Sequence, residues 1–156
     1  MITSGIATYR STGSRVYLPF LLAHLARAHA EVGEFDDAWR CIGEALNAAE
    51  TTKERWCEAE IHRITGEVAL KLPQLGSVQA EAYFEHALTV ARAQQAKSWE
   101  LRAAMSMARL WHGQGMPEKA RALLAPIHDW FTEGFATHDL KKAKALLVEM
   151  PSPQGR

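Results

Sequence analysis

Apolar residues in this chain recur at three-to-four spacing, and no segment keeps up the strict alternation of a strand. Leu18, Leu21, Leu22, Leu25, Ala26 and His29 fall on one stripe, which predicts a helix over 18–32 with one buried face. Gly33 follows as its stop. Asp36 and Asp37 then supply the acidic first turn that a helix dipole favours. This second helix, to about Thr51, carries Ala38, Trp39, Ile42, Ala45 and Leu46 on one side. The pattern predicts a second pair over about 54–72 and 78–95, with 74–77 as a loop, and a third over 98–113 and 117–131. Pro117 suits a first helical turn, where its missing N–H has no partner to lose. A last helix is expected from Asp139, as N-cap, to Met150, ahead of Pro151. The fold class read from this pattern is all-α.

A small-residue signature recurs through these helices as Ala38-x6-Ala45-Leu46, Ala80-x6-Ala87-Leu88 and Ala120-x6-Ile127. From Ala38 to Ala80 and from Ala80 to Ala120 the periods are 42 and 40 residues. A fixed period of that size predicts antiparallel helix hairpins stacked as a right-handed superhelix, an α-solenoid. The alanines have a physical reason, since paired helices approach closely only where side chains are small; Ala26, Ala38 and Ala45 serve the first pair, Ala108 and Ala120 the third. The expected organisation is one domain over 1–150: a half repeat at 2–17, repeats at about 18–53, 54–96 and 97–136, and a capping helix at 139–150. A disordered tail is expected at 151–156. The half repeat should expose an apolar edge around Ile6 and Tyr9 and invite a homodimer. An array that starts in mid-repeat reads either as a piece of something longer or as one closed by a single capping helix.

Composition narrows the partners. Lys plus Arg and Asp plus Glu are both 18, for a formal net charge of zero, whereas a nucleic-acid binder normally carries a basic excess. The apolar run over 16–26 is too short for a bilayer, and the N-terminus lacks the pattern of a secretory signal. Cys41 and Cys57 form no metal spacing and fit a reducing cytoplasm as small apolar residues.

The residues Leu22, Leu25, Ala26, His29, Gly33, Phe35, Ala38, Ile42 and Ala45 resemble a tetratricopeptide repeat, with His29 in place of the first-helix aromatic. Met107, Ala108, Trp111, Gly115, Ala120 and Leu124 fit similarly, with Pro117 replacing the usual aromatic. The second repeat fits less closely: Ile61, Ile64 and Val68 match, but Thr65 takes the small-residue position. The period also exceeds the usual length of about 34 residues. Longer runs, including Gln94-Gln95-Ala96-Lys97-Ser98-Trp99-Glu100 and Trp130-Phe131-Thr132-Glu133-Gly134-Phe135, resemble the extreme C-terminus of large bacterial signalling proteins. Those proteins join a class III adenylate/guanylate cyclase domain and a regulatory ATPase domain to a tetratricopeptide tail. None of the cyclase or ATPase motifs lies in this chain, so the resemblance carries over no catalysis. It implies a non-catalytic protein-interaction module or, alternatively, the regulatory tail of such an enzyme.

Motifs for chemistry are sparse. Gly113-Gln114-Gly115 lacks the later glycine and lysine of a phosphate loop and reads as a helix stop. Glu58 and His62 lie one helical turn apart, but a metal needs three or four convergent ligands. His24, His29, His62, His86, His112, His128 and His138 are scattered along the chain, so neither metal nor cofactor is expected. Trp56 and Trp99 hold equivalent places in successive first helices and read as inter-repeat core. In tetratricopeptide arrays the first helix of each pair lines the concave face. The resemblance therefore puts Phe20, Arg27, His62, Arg102, Met105, Arg109 and His112 there, a set suited to a protein or peptide with an acidic segment. It also implies no clamp for a peptide C-terminal carboxylate, because Ala23 stands where a lysine would be needed.

Overall fold

The computed structural model describes residues 2–151, and among these there are eight helices and no strand. They are α1 (Ile2–Ser11), α2 (Leu18–Glu31), α3 (Phe35–Thr52), α4 (Glu58–Leu70), α5 (Gly76–Ala93), α6 (Lys97–Gly113), α7 (Pro117–Asp129) and α8 (His138–Glu149). The fold is all-α. The tail expected at 151–156 lies, apart from Pro151, outside the described residues. No helix among the described residues is long and apolar enough to cross a membrane.

Two of the boundaries that differ from the expectation have a clear local reason. Lys53 closes α3 in the left-handed conformation (φ 59°), so the chain needs residues 54–57 to turn before α4 begins at Glu58. Thr137 occupies the N-cap position of α8, which moves Asp139 into the first turn, with its carboxylate 3.6 Å from Arg102. Gly33 and Gly115 sit at φ 83° and 80° in the tight connections α2–α3 and α6–α7, a backbone region that L side chains rarely occupy.

Short turns return each helix against its predecessor, so α2 packs on α3, α4 on α5 and α6 on α7. The first members also touch in succession: α2 meets α4, α4 meets α6, and α6 meets α8. The backbones of α3, α5 and α7 make no such approach to one another. One apolar core joins α1 to α4 through Ile6, Leu22, Ile42, Ile61 and Ile64. A second joins α4 to α8 through Ala69, Phe84, Leu101, Met107, Leu124 and Leu140. Both include α4, which is buried along most of its length. At the edge of the second core, Trp111 donates its indole N–H to Glu81 (2.8 Å) while Lys119 lies 3.8 Å over its ring, tying α5, α6 and α7 together.

The apolar edge expected at Ile6 and Tyr9 does not form. Ile6 is buried in the first core, and Arg10 pairs with Glu44 of α3 at 2.9 Å, seating α1. The Tyr9 hydroxyl lies 2.8 Å from Ser14 Oγ and accepts the Tyr17 N–H at 3.0 Å.

Ala26, Ala38, Ala45, Ala80, Ala87, Ala108 and Ala120 have no measurable exposure, as the close-approach argument requires. The second pair achieves its approach through a glycine as well. A Cβ added at Gly66 would lie 2.5 Å from Cε1 and 2.7 Å from Cδ1 of Phe84, a fully buried ring on α5.

Gly66→Ala should gain about 1 kcal/mol of helix propensity and lose more to overpacking against an immovable ring, about 1–3 kcal/mol. A lower melting temperature is the expected result of a thermal melt, and a higher one would mean that Phe84 has room to move. Ala38→Leu and Ala120→Leu should also lower it, and unchanged unfolding of both would contradict the pairing of α2 with α3 and of α6 with α7.

Candidate functional site

The first members of the pairs share an edge whose chemistry is built in tiers. Phe20 opens α2, Trp56 stands just before α4, and Trp99 lies in the first turn of α6. The Phe20 ring stacks on Trp56 at 5.6 Å between centroids and lies 6.4 Å from Trp99, and the two indoles are 6.3 Å apart. Tyr17 meets Trp56 edge-on at 5.7 Å and is more than half exposed. Trp56 also donates its N–H to the Val16 carbonyl at 3.4 Å. Phe20, Trp56 and Trp99 are half-buried, so the row is both a junction between pairs and a surface.

One turn further along lies an ionic tier. Arg63 donates two bonds to the Glu60 carboxylate, at 2.7 and 2.8 Å, and further bonds to Glu67 and to Ser106 Oγ (3.2 Å). Ser106 in turn donates to Glu67 at 3.2 Å. Arg102 lies 3.0 Å from Glu60, 3.6 Å from Asp139 and 5.4 Å over the Trp99 ring. The network therefore spans α4, α6 and α8. Burial alone would lower the Arg63 guanidinium, but its bonds to Glu60 and Glu67 outweigh that and hold it above its ordinary value. The His24 ring lies 4.3 Å from Phe20, and its Nε2 is buried without a hydrogen-bond partner among the described residues. Burial, followed by the charge of Arg27 and then of Arg102 and Arg63, lowers the His24 pKa, with Glu60 opposing. Nearby on α6, Glu100 is buried, which would raise its pKa, but bonds from Lys97 and Arg92 outweigh the burial and hold the carboxyl below its usual range.

The seven residues expected on a groove separate. Phe20, Arg102 and Arg27 gather on this face, where among the described residues Arg27 has only Glu31, at 3.9 Å, as an ionic neighbour. Arg109 is exposed two turns beyond Arg102, and together with His112 it lines a shallow pocket that includes Lys142 of α8. Met105 is buried in the second core, so it offers a ligand no surface. His62 turns toward α5 instead, where its ring meets His86 edge-on at 4.2 Å. Burial, then the His86 charge, lowers its pKa to about 4. The arginine face is also less cationic than its sequence suggests, since Arg63 and Arg102 are neutralised by Glu60, Glu67 and Asp139. Glu60 and Arg63 escaped notice because an i,i+3 charge pair is what an ordinary solvated helix surface shows. Both cysteines are buried, with thiol pKa values raised by burial, Cys57 to about 12, which leaves them unreactive.

Compared with known proteins, the chain matches no family model and no curated protein.

Replacing Arg63 by Met leaves the buried Glu60 short of two bonds, a loss of up to about 3–5 kcal/mol. Urea unfolding should show the Glu60→Met/Arg63→Met pair to be less damaging than the single change; equal losses would mean that the carboxylate is not what suffers. The lowered His24 pKa means that the unfolded chain binds a proton near pH 6.5 which the folded ring resists. Stability is then complete above that pH and declines as pH falls below it. His24→Leu should make the decline between pH 7 and 5 shallower, as read by melting temperature.

Proposed function

We propose that this chain is a non-catalytic protein-interaction module, a tetratricopeptide-like α-solenoid of about 40-residue period that holds a peptide segment of another protein. The observation that carries the reading is the tiered edge of α2, α4, α6 and α8. The backbones of successive first helices approach one another while those of α3, α5 and α7 do not, which supports a curved array with the first helices on its inner side. That edge offers half-buried aromatic rings at one level and polar groups at the next, a combination suited to an apolar anchor fixed by charge. Ring-to-ring contacts link the start of each first helix to the next, Phe20 to Trp56 and Trp56 to Trp99.

The ligand this reading favours is an extended segment with one bulky apolar residue against Phe20, Trp56 and Trp99 and an acidic residue near Arg27. Arg27 and Arg109 suit the acidic contact better than Arg102, whose charge is already matched by Glu60 and Asp139. A protein acting in this way needs no nucleophile or general base.

Selection of short peptides from a random display library tests the reading. Peptides with an aromatic or leucine anchor beside Asp or Glu should be enriched, and their binding should shift tryptophan emission. Arg27→Glu, a change at a partly exposed residue outside both cores, should weaken them about tenfold, a loss of about 1.4 kcal/mol. Failure to enrich any such motif, or equal binding by Arg27→Glu and Trp99→Ala, would overturn it.

A further inference from the structure

The α4–α5 junction holds a constellation unrelated to the shared edge. Glu58 and His62 lie one turn apart on α4, and His86 reaches them from α5; one ligand atom from each lies within 4.8 Å of the others. We propose that these three side chains bind a divalent first-row transition ion, best matched by Zn2+, and that the ion clips α4 to α5.

The donor set is two imidazole nitrogens and one carboxylate oxygen, a combination zinc accepts with a fourth position open to water. Magnesium and calcium need more oxygen ligands than this site provides. Tetrahedral bonds of about 2.0–2.1 Å put neighbouring ligand atoms roughly 3.3 Å apart. The Glu58 Oε1 to His62 Nε2 separation is 3.9 Å, so side-chain rotation of about half an ångström brings them into range. Neither imidazole makes a hydrogen bond among the described residues, and the rings meet edge-on at 4.2 Å. Both rings therefore have nitrogens free to ligate, and one ion would serve both at once.

Arg55 donates two bonds to Glu58, at 2.7 and 2.9 Å, one to each oxygen. Each carboxylate oxygen retains a second lone pair, so the bonds leave the carboxylate able to ligate. They hold it in place from the solvent side, as outer partners of metal ligands do. The other three-residue cluster, His29 with Glu34 and Asp37, is less suited, because its one imidazole nitrogen already lies 2.6 Å from Glu34. His86 is exposed, so it can be removed without disturbing either core.

Zinc chloride titrated into the whole chain, followed by calorimetry and thermal unfolding, tests the site. The expected result is one ion per chain and a melting temperature raised by roughly 5–10 °C when zinc exceeds its dissociation constant about a hundredfold. Magnesium should have no effect. Cobalt(II) should give the visible absorption of a four-coordinate site. His86→Ala should fold as the parent does but bind zinc about a hundredfold more weakly or not at all, and lose the cobalt spectrum. Zinc binding that survives both His86→Ala and His62→Ala would place the ion elsewhere, and absence of any shift in the parent chain would overturn the site outright.

Discussion

Close approach between helices is the constraint on which this molecule depends. Alanine is the commonest residue in its core, and seven alanines at the pairing positions have no exposure. Where α4 and α5 meet, one partner has no side chain at all: the Phe84 ring fills the place of a Cβ on Gly66. Small residues let backbones come near, and near backbones bring the larger side chains on either flank into dense contact. The larger apolar groups, Ile61, Ile64, Leu101 and Leu124 among them, pack around these points of approach. A chain with bulkier residues at the same sites would have the same helices and a different spacing between them.

That spacing sets what happens at the edges. Because α2, α4, α6 and α8 lie side by side, residues at matching positions become neighbours although about 40 residues separate them in sequence. Phe20 meets Trp56 and Trp99, while Glu60 meets Arg102, which meets Asp139. The ionic row adds little net stability by itself, since desolvation opposes Coulomb attraction in a buried pair. Its geometric consequence is larger: Arg63, Ser106 and Glu67 are bonded to one another across α4 and α6, and sliding either helix would break those bonds. The same row also neutralises arginines that would otherwise make the face strongly cationic.

Helix pairing has a second chemical consequence on the opposite flank of α4. Glu58 and His62 share a helix turn, which gives two donors and no more; α5 brings His86 to the pair. One helix thus contributes to two unrelated constellations, one on each side of a buried stripe.

Taken alone, the sequence determined the helices, their pairing and the small residues between them. Each of these is encoded locally, in 3.6-residue periodicity and in glycine, proline and acidic signals at helix ends. It placed every helix to within a few residues and identified Ala26, Ala38, Ala45, Ala108 and Ala120 as contact positions. It also brought Phe20, Arg27 and Arg102 to one face. Only the tertiary structure decided which way the remaining candidates point: Met105 into a core, His62 toward His86, Ile6 under cover of α2. Periodicity cannot resolve those choices, because a helix has flanks as well as a buried stripe, and which flank a neighbour occupies depends on crossing geometry. The pairing of Arg63 with Glu60 and Ser106, and of His86 with His62, joins residues on separate helices or hides ordinary surface charges by packing. No spacing in one strand of sequence records either event.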